Sequence, residues 1–96
     1  MRNAKVDRNQ AEIVKALRDA GYSVALTHRV GAGFPDLCVG IVTRTGYSIN
    51  LLLEIKASGE KLNKREMEWH SQWRGHAVIT HDSESALQIC ENWKAL

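Results

Sequence analysis

The chain has little that could staple it, anchor it in a bilayer or repeat along it. It has two cysteines, Cys38 and Cys90, both in apolar stretches. Two such thiols make no disulfide framework and read as the reduced cysteines of a cytosolic protein. The longest uncharged apolar run, Leu37 to Val42, falls far short of the roughly 20 residues that a membrane-spanning helix needs. No apolar run follows Met1–Lys5, so no secretory signal is expected. Repeats, low-complexity tracts and linkers are missing too. Charge of one sign is scarce: 13 Lys and Arg against 11 Asp and Glu leave a net +2. That balance permits a nucleic-acid partner without requiring one, because clustering matters more than the sum. The one proline, Pro35, lies in a glycine-rich stretch, where it holds Phe34 extended.

What is present suits one domain over residues 1–96. Hydrophobic residues make up 44% of the chain. A domain of this size buries roughly 60–65% of its unfolded surface and needs no staples. Residues 8 to 20 predict a helix. Asp7 is its N-cap, Gln10 completes a capping box, and Val6, Ile13, Val14, Leu17 and Ala20 form its apolar stripe. Gly21 ends it. Strands are expected at 22–29, 36–43 and 48–56, with a hairpin turn at 44–47 around Gly46. Asn63 and Glu66 make a second capping box, for a helix that stops at Gly75. A short strand at 77–80 follows. A last helix, capped by Asp82 or Ser83, carries Ala86, Leu87, Ile89, Cys90 and Trp93. The order α-β-β-β-α-β-α implies an α/β fold, a single-domain mixed sheet with helices on both faces.

Three charges interrupt the apolar strands. Gly31-Ala32-Gly33-Phe34-Pro35 delivers Asp36 to the head of one strand, and Glu54 and Lys56 lie two residues apart in the next. A buried charge needs a partner or a metal. Asp36 and Glu54 share a sheet face only if they pair opposite each other. A two-residue Thr45-Gly46 turn would set Asp36 against Ile55, on the wrong face. An odd loop, or a bulge near Asp36 or Gly40, is therefore expected.

Phosphodiester hydrolysis requires a shielded phosphate, an activated water and a stabilised leaving group. A hard divalent cation supplies all three, and Mg²⁺ accepts few protein ligands. Asp36 and Glu54 are the candidate ligands, with the Ile55 backbone carbonyl between Glu54 and Lys56. Lys56 shares the face of Glu54. Its amine can orient the attacking water, or receive its proton if a neighbouring metal lowers the pKa. Glu12, outside the helix stripe, could reach a metal through water or bind a second one. Gly31 and Gly33 leave the backbone bare to an approaching phosphate.

Glu12, Gly-x-Gly-Phe-Pro-Asp at 31–36 and Glu-Ile-Lys at 54–56 together resemble the PD-(D/E)xK nuclease superfamily. Within it, the chain is similar to small stand-alone VRR-NUC domains. Arg29-Val30-Gly31, the Leu62-Asn63 helix start and the Trp73-Arg74-Gly75 helix end extend the likeness from about Asn9 to Leu87. The resemblance implies an αβββαβ(α) restriction-endonuclease-like core and dependence on Mg²⁺ or Mn²⁺. It also implies DNA endonuclease activity, and homodimers acting on branched DNA such as Holliday junctions. Asp36 and Glu54 match the family's metal ligands, Lys56 its catalytic lysine and Glu12 its first-helix glutamate. Glu66 departs from the pattern, standing where relatives usually carry glutamine. The same residues leave open a nuclease for flaps, nicks or RNA, and a non-catalytic nucleic-acid-binding module.

The remaining polar and aromatic residues admit two readings each. Lys61, Lys64, Arg65 and Arg29 are either solvated or in contact with phosphates. His70 lies in the core or on the surface, or else faces the site. His76 and His81 read as surface or packing residues. Trp69, Trp73 and Trp93 suit a core or a dimer interface better than base stacking.

Overall fold

The computed structural model describes residues 4–96, and side chains from Arg8 onward. It is an α/β fold with a four-stranded mixed sheet. In chain order the elements are α1 (Ala4–Asp19), β1 (Ser23–Leu26), β2 (Leu37–Val42), β3 (Ser48–Ile55), α2 (Lys64–Gln72), β4 (Ala77–Thr80) and α3 (Ser83–Lys94). Strand order in the sheet is β1-β2-β3-β4. The first three strands are antiparallel neighbours, and β4 joins β3 in parallel after the α2 crossover.

The predicted element order holds, and the boundaries shift where local chemistry was misread. Helix α1 is already formed at Ala4, so Asp7 lies within it rather than capping it. Ala4 and Lys5 are good helix formers and nothing at their positions breaks the helix. The side chains of Val6 and Asp7 lie outside the described residues. Strand β1 ends at Leu26, short of Arg29, because a turn closes there: the Val30 N–H donates to the Thr27 carbonyl at 3.0 Å. Helix α2 ends at Gln72 because Trp73 turns extended. Both capping boxes near the later helices are formed, Asn63 with Glu66 and Asp82 with Ser85.

Helices α1 and α3 lie together on one sheet face. Ile13, Leu17, Ala86 and Cys90 bury against Leu37, Val39, Ile41, Leu51, Leu53 and Ile55. This is the single core among the described residues. Both cysteines are free thiols. No helix among the described residues is long and apolar enough to cross a membrane. Helix α2 lies on the other side of the sheet, over one end only, and buries none of its residues.

The β2–β3 hairpin has the odd loop that the site requires. Val42 pairs with Ser48, and the Thr43 N–H donates to the Tyr47 carbonyl at 2.8 Å. Three residues, Arg44 to Gly46, therefore make the turn, with Gly46 at φ 91°. Such three-residue loops place a left-handed residue last, where glycine is favoured. The register runs up to Leu37 opposite Leu53. One residue further, it sets Asp36 opposite Glu54.

Candidate active site

Asp36 is positioned from three directions. The Thr27 N–H donates to its carbonyl at 2.8 Å, and the Thr27 hydroxyl donates to the Pro35 carbonyl at 2.9 Å. Its own Oδ2 accepts the Ile55 N–H at 2.8 Å. That bond ties the head of β2 to the end of β3 through a side chain.

Leu53 and Ile55 face the core, so Glu54 alternates to the opposite face, toward α2. It is 2% exposed. Burial, then its hydrogen bond with Asp36 and the charges of Asp36 and Glu66, push its pKa up to about 9, against the pull of Lys56. Glu54 therefore keeps a proton at neutral pH, beside its hydrogen bond with Asp36. Glu54 Oε1 is buried and makes no hydrogen bond. It faces His70 Nε2 across 3.6 Å, and that nitrogen is also buried without a hydrogen bond.

Lys56 reaches the same side. Its Nζ lies 2.8 Å from Glu66 Oε1 and 3.9 Å from Glu60 Oε2. Burial works to lower its pKa, but the hydrogen bond and charge of Glu66, with Glu60 and Glu54, outweigh it and leave the pKa raised. The protein's own groups thus hold Lys56 as an ammonium, which can donate hydrogen bonds but not take a proton. This is opposite to the lowered pKa that proton acceptance requires. Glu66 is shifted the other way: burial opposes ionisation, yet Lys56 and the Asn63 N–H hold its carboxyl below the usual range. The Lys56 backbone is fixed as well. Its N–H donates to Thr80, and its carbonyl lies 2.7 Å from His81 Nδ1. Asn9 of α1 in turn donates to the His81 carbonyl at 3.2 Å.

The glycine-rich turn is a seat for α2. Gly31, Ala32 and Gly33 all have positive φ, at 80°, 55° and 84°. A Cβ on Gly33 would lie 2.5 Å from the Arg65 carbonyl oxygen and 3.1 Å from the Glu66 nitrogen. The first turn of α2 therefore rests on Gly33 and leaves no room there for a side chain. Gly31 is exposed and has no neighbour within 4 Å of such a Cβ. Next to it, Phe34 sets its ring edge-on to Trp69 and Trp73 at 5.3 and 5.9 Å, and those two indoles stack at 4.7 Å. Gly33 and Phe34 thus dock α2 over the carboxylates. Trp69 and Trp73 form this docking cluster, while Trp93 packs on the core.

The structure brings Asp36, Glu54 and Lys56 together and adds Glu66 and His70 from α2. It does not bring in Glu12, which is exposed on α1 and has no hydrogen bond or ion pair with the other three. Arg29, Lys61, Lys64 and Arg65 are all exposed. Lys64 and Arg65 immediately precede Glu66 at the start of α2. Sequence reasoning missed the Glu66–Lys56 pair and the part of His81, and left His70 open. The four-residue spacing of Glu66 and His70 was the available signal, since it puts both on one helix face.

The carboxylate pair fits a divalent cation. Two acidic side chains are in contact there, and Glu54 Oε1 is buried without a hydrogen-bond partner. Among the described residues, no three His, Cys, Asp or Glu side chains form a ready-made metal cage. A cation that keeps several waters does not need one. No family model, curated protein or solved structure matches the chain.

Proposed function

We propose that this chain is a metal-dependent DNA endonuclease with a restriction-endonuclease-like core, acting on branched DNA as a homodimer. The observation that carries this reading is the hydrogen bond between Asp36, just before β2, and Glu54 on β3, with Lys56 on the same side. Asp36, Glu54 and the Ile55 carbonyl would hold Mg²⁺ or Mn²⁺. Bound there, such a cation shields the phosphate and makes a water nucleophilic at neutral pH.

The chain's own residues do the rest. Glu54 would give up its proton and, with Asp36, would present negative charge to the cation. The Lys56 ammonium donates to a phosphate oxygen or orients the attacking water. Lys61, Lys64, Arg65 and Arg29 contact flanking phosphates without reading sequence. Glu12 stands apart from this set and acts, at most, through water. Among the described residues no element is suited to reading base edges, which favours selection by DNA shape. A four-way junction needs two cuts, and two-fold symmetry supplies two sites.

The test is incubation with Mg²⁺ or Mn²⁺ and labelled linear duplex, flap, splayed-arm and four-way-junction substrates, with Lys56→Ala as control. Cleavage of the junction by the wild type, lost in Lys56→Ala, is the expected result. Equal inactivity of both on every substrate removes the enzyme reading in favour of a binding module.

A further inference from the structure

We infer that His70 is a direct ligand of the divalent cation at Glu54, making the site prefer imidazole-binding metals such as Ni²⁺, Co²⁺ or Zn²⁺ to Mg²⁺. This rests on the metal-site reading above and deepens it.

Glu54 Oε1 and His70 Nε2 are both buried, both lack a hydrogen bond, and lie 3.6 Å apart. Leaving a buried polar atom unsatisfied is costly, so two that face each other call for an explanation. The gap is too long for a hydrogen bond. It is the right size for a shared cation, because two donors each about 2.1 Å from one metal stand up to about 4.2 Å apart. Among the described residues, no Lys or Arg is ion-paired with either atom. Lys56 is taken by Glu66 and Glu60.

The imidazole is also held in place. Trp69 packs against it edge-on, with ring centroids 5.0 Å apart. Helix α2 is seated by Gly33 and Phe34. Four residues before His70 on the same helix face, Glu66 clamps Lys56, so α2 contributes one side chain to each member of the Glu54–Lys56 pair. Carboxylates and water suit Mg²⁺, and an imidazole nitrogen moves the preference toward later transition metals.

The test uses the full chain without nucleic acid and measures binding of Ni²⁺ and Mg²⁺ separately by calorimetry. The wild type should bind Ni²⁺ more tightly than Mg²⁺. His70→Gln should lose about tenfold or more in Ni²⁺ affinity, roughly 1.4 kcal/mol, while Mg²⁺ affinity stays unchanged. Glu54→Gln should lose both. In the wild type, Zn²⁺ should shift the His70 Nε2 resonance, a readout that does not depend on any variant folding. An unmoved Nε2 resonance, or unchanged Ni²⁺ binding in His70→Gln, overturns the role of His70 and leaves the nuclease reading intact. Ni²⁺ binding that survives in Glu54→Gln assigns the metal to other histidines and also overturns it. If Mg²⁺ binding too is indifferent to Glu54→Gln, the metal-site reading itself falls.

Discussion

Lys56 and Glu66 form an ion pair at 2.8 Å, and it joins the end of β3 to the first turn of α2. The pair occupies the amine on which the proposed chemistry depends. Replacing Glu66 by Gln keeps the capping geometry, since an amide oxygen still accepts the Asn63 N–H. It removes one negative charge from the approach to the site and frees Lys56 for phosphate. Cleavage by Glu66→Gln should rise about fivefold, corresponding to about 1 kcal/mol of relieved repulsion. Initial rates on the substrate cut by wild type check this. A fall in rate would show that the pair positions Lys56 rather than restrains it.

Gly33→Ala should destabilise the fold by about 1–3 kcal/mol, because the new methyl meets helix backbone and φ is positive. Gly31→Ala meets open space and should lose only the conformational term, about 1–2 kcal/mol. Urea unfolding compares the two. Only Gly33→Ala should also shift tryptophan emission in the native state, because it lifts Trp69 and Trp73 away from Phe34.

Glu54 makes stability depend on pH in an unusual direction. Its folded pKa is raised from an ordinary 4.5 to about 9 by burial and by Asp36. The folded state therefore keeps a proton that the unfolded state releases between those values. Its contribution is fully present below pH 4.5 and is lost as pH rises toward 9. Glu54→Gln should thus gain in Tm relative to wild type as pH rises from 5 to 9, in metal-free buffer. The same logic makes Mg²⁺ raise the wild-type Tm more at pH 8 than at pH 5, since cation and proton compete for one carboxylate pair. A Tm difference that does not change with pH would rule out the proton on Glu54.

Glu12 and Asp36 should separate cleanly. Asp36→Asn should abolish metal-dependent cleavage, a loss of about 10³-fold or more as for other groups that stabilise charge in the transition state, while DNA binding persists. Glu12→Gln should reduce it by about tenfold at most and leave Tm unchanged, as expected for an exposed side chain. Single-turnover rates and thermal melts on both variants decide the matter. Equal losses would place Glu12 within the metal's first set of ligands.

Much of the architecture was legible from the chain alone. Apolar periodicity predicted all seven elements in order, because the face that each buries is written in local spacing. The capping box at Asn63 and Glu66 came from four adjacent residues. An odd hairpin loop or a bulge followed from the need for Asp36 and Glu54 to share a face, and the fold takes the odd loop. The proposed core of the site, Asp36, Glu54 and Lys56, lies within two short motifs and was visible for that reason. The extent of α1 was not, because Asp7 suits a helix interior start as well as a cap.

The tertiary structure decided what surrounds those three residues. Glu66 neutralises Lys56 and His70 faces Glu54 only because α2 folds back over the sheet end. That helix also rests on Gly33, and no local pattern shows this. Electrostatics depends on distances between groups far apart in sequence, and burial sets how strongly those groups act on each other. The chain therefore announced which residues carry charge into the sheet. Their partners, their protonation and the gap between Glu54 and His70 arose only when α2 was docked.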